Sequence, residues 1–342
     1  MGKRQLLILL SLLVIPVLPV WILYKITYHL NEKSNGFVRK FQDGQVTLSC
    51  QTPNTGTITD ICGINDSVVF FADKMPGRII SYTHSLHPLN EITLNLSGNK
   101  KMASYFFTQV DTSGVYVFAF NAHTIFKSDM KGPVVTGYKP PVLFHKGIHY
   151  NGHFYLLGYD GNMDDRRFRK VDPASNEVNE KRLFKAGSPS FDGMMFFDEQ
   201  KQTILYVSFF SNAFLCIDTG LSIKYYGHTI DTTGTYPKQR AMIKSHYARY
   251  LTSPEPDKIV NRACCAYDSF LYINSNLTSD NEQKEAFRSN AVIDIYSVAT
   301  GQYQGSFYLP DHHNERVKRI AVYKRTLFAV YQDALMAYEL GR

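Results

Sequence analysis

Hydrophobic and polar residues alternate in short runs along most of the chain, and the clearest example lies at residues 191–227. Four apolar stretches of four to six residues, rich in Phe, Tyr, Ile and Val, are separated there by turn residues. Runs of this length and composition predict β-strands, because they are too short to form a stable helix. Four such strands in a row predict a small antiparallel sheet that needs neighbours to cover its faces.

The same pattern recurs with a regular period. Where the third strand of each unit leads into a polar turn, the equivalent positions are 45, 45, 46, 79 and 42 residues apart: Tyr82, Lys127, Asp172, Asp218, Ser297 and Glu339. A period near 45 with four strands per unit predicts a β-propeller. Two packed β-sandwiches are the alternative, but sandwiches do not require a regular period.

Six units can be assigned, and the last one is incomplete. They cover residues 58–96, 105–138, 142–184, 191–227, 260–309 and 317–340. The sixth lacks a fourth strand, while residues 37–41 and 45–50 remain unassigned ahead of the first unit. We predict that one of these segments completes the last unit, because closure would pair an exposed sheet edge. The predicted fold is all-β: a six-bladed β-propeller of four-stranded antiparallel blades, closed by an N-terminal strand and preceded by one hydrophobic helix.

Several strand endings carry a resemblance to known propellers. They are the sequences VDPASN, IDTG and YSVATG, together with LYVS and LYIN. With the 45-residue period, these endings resemble the six-bladed propellers of the broad NHL, YWTD and TolB-like group over about residues 37–340. The resemblance implies the fold and no particular activity, since propellers host many functions.

The first 30 residues differ from the rest. Lys3 and Arg4 precede an apolar run at residues 6–24, which as a helix would span the roughly 30 Å hydrocarbon core of a bilayer. Trp21 and Tyr24 stand where interfacial aromatic residues are expected. We therefore predict a membrane anchor or signal segment at residues 1–30 and a propeller at 31–342, periplasmic or extracellular. Secretion after signal cleavage is the alternative.

The positive charge is concentrated in two places. Lys3, Arg4 and Lys25 contribute +3 to the formal net charge of +7, and residues 236–262 hold six basic residues against two acids. The remainder is balanced, which argues against a nucleic-acid binder. The long 79-residue interval contains this basic segment and a polar one at 276–290, and both are expected to be inserted loops.

The basic segment is the predicted binding site. Basic residues alternate there with tyrosines, a combination that suits recognition of an anionic ligand or a protein partner at a tunnel mouth. A solvated loop, or one lying against anionic lipid headgroups, is the alternative. The predicted ligand-binding residues are Tyr236, Lys238, Arg240, Lys244, His246, Tyr247 and Arg249.

Two sets of residues suggest other chemistry. Adjacent Cys264 and Cys265 could form a vicinal disulfide in a redox protein, although neighbouring side chains of a strand point to opposite faces. Cys50 and Cys62 could close a short loop in an oxidising compartment.

Metal-ligand patterns are weak. The segment 160–164 begins like a calcium loop but lacks the later ligands, so a polar hairpin is expected. His145 and His149 would lie about 13 Å apart in extended chain. His312 and His313 would point apart if extended and are expected in a loop at 310–314. No metal residue and no cofactor is predicted, and a divalent metal in the central tunnel stays an open alternative.

The sequence therefore predicts a membrane-tethered, extracytoplasmic propeller that acts as a ligand- or protein-binding module. No local motif of a hydrolase, nucleotide-binding protein or zinc protease is present. The alternative is a propeller enzyme, either a metal-dependent, lactonase-like hydrolase or a redox-associated protein that uses Cys264 and Cys265.

Overall fold

The structure is a computed structural model that describes residues 17–25, 35–42, 44, 46–96, 106–130, 133–160, 162–182, 192–234, 241–244, 249–252 and 258–341. Of these, the side chains of residues 160, 162–165, 241–244 and 249–252 lie outside the description.

The described strands form six four-stranded antiparallel blades and one separate hairpin. Blade 6 combines β1 (Val46–Pro53) with three strands from the other end of the chain. Blade 1 contains β2 (Ile58–Ile64), β3 (Val68–Asp73), β4 (Arg78–Thr83) and β5 (Pro88–Thr93); blade 2 contains β6 (Phe106–Asp111), β7 (Gly114–Ala119), β8 (Thr124–Ser128) and β9 (Thr136–Tyr138); blade 3 contains β10 (Lys146–Tyr150), β11 (His153–Asp160), β12 (Asn162–Val171) and β13 (Val178–Lys181).

The second half of the chain continues the ring. Blade 4 contains β14 (Gly193–Asp198), β15 (Thr203–Ser208), β16 (Ala213–Asp218) and β17 (Ile223–His228); the hairpin is β18 (Ala241–Lys244) and β19 (Arg249–Thr252); blade 5 contains β20 (Asn261–Tyr267), β21 (Phe270–Ser275), β22 (Asn290–Ser297) and β23 (Tyr303–Pro310); blade 6 contains β24 (Arg319–Tyr323), β25 (Thr326–Val330) and β26 (Ala334–Leu340). The predicted six-bladed propeller is confirmed.

The core lies between blades. Second strands such as β7 and β15 are buried along their whole length, because each is covered on both faces by neighbouring blades. Outer strands such as β5 are mostly exposed. Among the described residues, one apolar cluster fills each of the six junctions between neighbouring blades. The junction between blades 6 and 1 is as well filled as the others, so the ring is closed.

The ring closes through the N-terminal strand. β1 pairs antiparallel with β26, from Val46 opposite Leu340 to Pro53 opposite Ala334, with a bulge after Leu48. This pairing supplies the fourth strand that the sixth unit lacks, and it confirms the predicted closure by residues around 45–50.

The other unassigned segment binds elsewhere. Phe41 forms a parallel bridge to Ser306 on β23, so residues 37–41 lie against the outer edge of blade 5. Arg39 is buried there, its Nε donating to Asp294 at 2.8 Å and its Nη1 to Glu282 at 2.9 Å. The segment is thus attached by a buried ion-pair network.

Local turn chemistry explains several connections. The Asn151-Gly152 pair joins β10 to β11 with φ of 47° and 76°, values that Asn and Gly tolerate best. Asp160 pairs with Asn162 in the hairpin between β11 and β12, so the segment resembling a calcium loop joins two strands as expected.

The two predicted insertions contain secondary structure of their own. The first includes the β18–β19 hairpin, and the second includes a short helix, α2 (Lys284–Ser289). Each insertion therefore carries a short element of its own in addition to the connecting chain. Short polar segments of this kind carry little periodicity from which to predict such elements.

A helix at residues 17–25, α1, precedes the propeller. Its large apolar side chains are exposed, among them Val20 at 66%, Leu23 at 62% and Trp21 at 57%. Within the described part of the chain, the helices are too short or too polar to cross a bilayer.

Candidate functional site

The propeller topology places the longest connections on one face. The first strands of neighbouring blades contact one another around the axis, so they line the central channel and run in the same direction. The connections between blades, and those between second and third strands, therefore lie on the face where the first strands begin. We call this the upper face and the opposite one the lower face. Both inserted segments belong to the upper face.

Charged side chains stand where the inner strands begin. Lys146 Nζ lies 2.9 Å from Asp192 Oδ1, which joins blade 3 to blade 4. Arg319 Nε lies 3.4 Å from Asp60 Oδ1, which joins blade 6 to blade 1. Arg262, at the start of blade 5, donates to Asn276 Oδ1 at 2.7 Å. The upper mouth of the channel thus carries both signs of charge in separate pairs.

The enclosure of this mouth changes the acidity of its carboxyl groups. Asp60 keeps 42% of its side chain accessible, yet protein surrounds it within the channel, and burial raises its pKa against the opposing effect of Arg319. Burial also acts on Asp192, but there Lys146 and Arg166 outweigh it and lower the pKa. As pH falls, Asp60 therefore takes up a proton more readily than Asp192 does.

A histidine beside this mouth has no hydrogen-bond partner among the residues that the structure describes. Both ring nitrogens of His145 are buried and unpaired, and the ring stacks on Tyr159 with centroids 4.5 Å apart. Arg166 lies over the same tyrosine at 5.2 Å. Burial, followed by the positive charges of Lys146 and Arg166, lowers the pKa of His145 to about 3. His145 is therefore neutral under ordinary conditions.

Most of the predicted ligand-binding residues lie outside the described residues. These are Tyr236, Lys238, Arg240, His246 and Tyr247. Lys244 and Arg249 are described by their backbone alone, where they face each other as the last pair of the β18–β19 hairpin. The segment that holds all seven joins the end of β17 to the start of β20, so both of its ends are at the upper face. The prediction that these side chains bind a ligand stays a prediction.

The two adjacent cysteines point in opposite directions. Cys264 packs into the apolar cluster between blades 4 and 5, and Cys265 into the one between blades 5 and 6. Both are free thiols, and burial raises the pKa of each, that of Cys265 to about 12. Protonated thiols on opposite faces of a strand do not favour thiolate chemistry. The redox role stays a prediction without support from this arrangement.

Cys50 and Cys62 are also apart. Cys50 packs between blades 6 and 1, whereas Cys62 packs between blades 1 and 2. Both are free thiols on opposite faces of blade 1, so the loop-closing disulfide considered from the sequence is absent.

The three histidines of blade 3 do not converge. His145 lies at the upper mouth, whereas His149 Nδ1 bonds to Asp111 Oδ2 at 2.7 Å near the lower ends of β10 and β6. His153 bonds to the carbonyl of Asn151 in the adjoining turn. His149 also stacks on Tyr116 with centroids 3.9 Å apart, which fastens blade 2 to blade 3. The three act separately, as the sequence spacing indicated.

One group of the described residues brings metal-ligating atoms together. Potential ligand atoms of His312, His313 and Asp333 lie within 4.8 Å of one another on the upper face of blade 6. The sequence does not reveal this group, because Asp333 is 20 residues away from His313 and adjacent histidines were expected to diverge. His312 and His313 lie in a turn, as predicted, and that turn allows their rings to approach.

The charged pairs of the mouth were also missed by sequence reasoning. Their common signal is position, since Asp60, Lys146, Asp192 and Arg319 all stand near the start of the first strand of a unit. A comparison of the charged residues at the start of each unit with those at the start of the next unit would have identified these ion pairs.

Comparisons with known proteins give the fold and no family. No family model matches the chain, and no curated protein matches it. Among solved structures, virginiamycin B lyase from Staphylococcus aureus is 12% identical with a TM-score of 0.51, covering 87% of this chain and 100% of its own. A DUF4221 family member from Bacteroides vulgatus is 11% identical with a TM-score of 0.55, covering 88% and 100%.

A third similar structure is a Bacteroides fragilis protein whose name calls it exported. It is 8% identical with a TM-score of 0.53, covering 89% of this chain and 98% of its own. At such identities these likenesses show the propeller fold alone. The chain is a β-propeller, as its resemblance to that broad group implied.

Proposed function

We propose that this propeller is an extracytoplasmic binding module whose upper face contacts an anionic ligand or an acidic protein surface. The observation that carries the proposal is the position of the basic insertion. The described residues at its two ends, 229–234 and 258–262, lie at the upper face, and Arg262 and Arg319 stand there at the starts of neighbouring inner strands. Basic groups gathered on one face raise the local concentration of anions and steer their approach.

The charged pairs of the mouth support the same role. Arg319 bonded to Asp60 keeps 49% of its side chain accessible, and Lys146 bonded to Asp192 keeps 23%. Exposed ion pairs contribute little to stability. Arg319, the more exposed of the two basic residues, is therefore the better placed to exchange its internal carboxylate for one on a ligand.

The basic insertion can be tested by removing its charge. The variant Lys238→Gln, Arg240→Gln, Lys244→Gln, Arg249→Gln should elute from immobilised heparin, a polyanionic probe, at lower salt than the natural chain. A matched control removes four positive charges near the lower face: Lys201→Gln, Lys224→Gln, Lys324→Gln and Arg325→Gln. Because both variants lose the same net charge, the proposal requires that the first alone lose affinity. Equal elution of the two variants would refute it.

We further propose that α1 tethers the propeller to a membrane. Its support is the run of exposed apolar side chains on α1, since a contiguous apolar surface of this kind is usually covered by lipid or protein. Lys25 Nζ lies 5.8 Å from the ring of Trp21, an arrangement that suits a membrane interface. Trp21 is the single tryptophan of the chain. Lipids carrying a bromine quencher should therefore quench its fluorescence in vesicles, and absence of quenching would contradict the tether.

A further inference from the structure

A turn in the connection between blades 5 and 6 holds two histidine rings side by side. The backbone of His312 and Glu315 exchanges two hydrogen bonds, of 3.0 Å and 2.8 Å. His313 and Asn314 between them have φ of 49° and 64°. This left-handed turn places the two imidazole rings with centroids 3.9 Å apart, where extended chain would have separated them.

Both rings face one carboxylate from a different loop. Asp333 lies in the turn between β25 and β26, and its Oδ2 is 2.7 Å from His313 Nδ1. Its Oδ1 is 3.7 Å from His312 Nε2. Two ligands bound to a tetrahedral ion at about 2.1 Å each lie about 3.4 Å apart. The two observed distances bracket this value, so small side-chain rotations would bring all three ligands onto one ion.

Buried neighbours fix the two loops that carry these ligands. The hydroxyl of Tyr331 donates to the carbonyl of Pro310 at 2.7 Å, and its ring packs edge-on against His312. The carbonyl of Asp333 accepts a hydrogen bond of 2.8 Å from the backbone of Asn54, which follows the ring-closing strand β1. Such support reduces the ordering that metal binding would otherwise require.

We propose that His312, His313 and Asp333 bind one divalent transition-metal ion of the zinc class. Two imidazole nitrogens and one carboxylate oxygen suit Zn²⁺, Ni²⁺ or Cu²⁺, whereas Mg²⁺ and Ca²⁺ require oxygen ligands. Asp333 and His313 are 46% and 73% exposed, so the ion enters directly from solvent and water completes its coordination. The site consists of residues other than those of the basic insertion, and it goes beyond the proposed binding function.

A bound ion would connect two elements of the ring. It would join the connection between blades 5 and 6 to the turn of blade 6 that contacts Asn54. Because the unfolded chain lacks this arrangement, metal binding stabilises the folded ring.

The proposal is tested by titrating Zn²⁺ into the untagged full chain after treatment with a chelator. Calorimetry should show one high-affinity equivalent, and the melting temperature should rise with Zn²⁺. The variants His313→Ala and Asp333→Asn should each weaken binding at least tenfold and abolish the rise. His153→Ala is the control, because it removes a histidine of the turn between β10 and β11 that does not belong to this group, and it should bind as the natural chain does.

A second measurement identifies the ligands. Electron paramagnetic resonance of the Cu²⁺-loaded chain should show coupling to two imidazole nitrogens, and His312→Ala should remove one. Circular dichroism confirms that each variant is folded, and Asp333→Asn preserves the shape of the turn. The proposal is overturned if Zn²⁺ does not bind, if His313→Ala or Asp333→Asn retains natural affinity, or if nitrogen coupling is absent.

Discussion

Arg39 and His145 show that burial has different effects on a charged side chain depending on its partners. Arg39 has all its charge compensated, with Asp294 and Glu282 on its guanidinium and Ser306 donating to Asp294 at 2.5 Å. For His145, burial and the positive charges of Lys146 and Arg166 outweigh the attraction of Asp192 and lower its pKa to about 3, so the ring is neutral. Burial penalises both groups, and the presence or absence of a partner decides the outcome.

Loss of Arg39 should be costly. Arg39→Ala leaves two carboxylates buried without a counter-charge, so the free energy of unfolding should fall by about 3–5 kcal/mol. Denaturant titration measures it. Arg325→Ala removes an arginine that is 52% exposed and paired on the surface, so its effect should be much smaller. Equal effects of the two substitutions would contradict the buried network.

His145 should make the protein sensitive to acid. The pKa of His145 is lower in the folded state than in the unfolded one, so the unfolded state binds more protons between about pH 6.5 and pH 3. Stability contributed by this site is present above pH 6.5 and is lost as pH falls through that window, by about 2 kcal/mol at pH 5.

His145→Phe keeps an aromatic ring on Tyr159 and removes the titrating group. Thermal melting at pH 7 and pH 5 should therefore show a smaller loss of stability for this variant than for the natural chain. A variant whose loss matches that of the natural chain would exclude His145 as the source.

The strands were predictable because each element carries its own signal. Short apolar runs, a regular period and the Asn151-Gly152 turn depend on neighbours in sequence, and all were confirmed. The role of residues 37–41 was not predictable, since it depends on Asp294 and Glu282, more than 240 residues away. The same holds for the approach of Asp333 to His313 and for the charged pairs between blades. Sequence patterns report local structure, whereas these sites arise from the closure of the ring.

The closing strand can be locked to test its register. Thr47 lies opposite Glu339, so Thr47→Cys with Glu339→Cys should form a disulfide between β1 and β26. Because the bond closes a loop of nearly the whole chain, the chain-entropy model gives a gain of about 6 kcal/mol. Gel mobility without reductant and thermal melting measure both effects.

The control places one cysteine out of register. Gln51 lies opposite Met336 and is separated from Glu339 along the strand, so Gln51→Cys with Glu339→Cys should remain reduced. Bridging in this second variant, or none in the first, would contradict the pairing.

The molecule as a whole is a ring with two unequal faces. The lower face has short turns, such as those at residues 65–67, 151–152 and 268–269. The upper face has both insertions, the charged mouth and the group formed by His312, His313 and Asp333. Loops on a rigid scaffold are common sites of binding, and this asymmetry is the basis for assigning recognition to the upper face.

Hydrogen exchange with and without heparin fragments tests that assignment most directly. Bound heparin should slow amide exchange in peptides covering residues 229–262 and 311–319 and leave the lower-face turns unchanged. Protection confined to the lower-face turns, or binding with no protection at the upper face, would contradict the account.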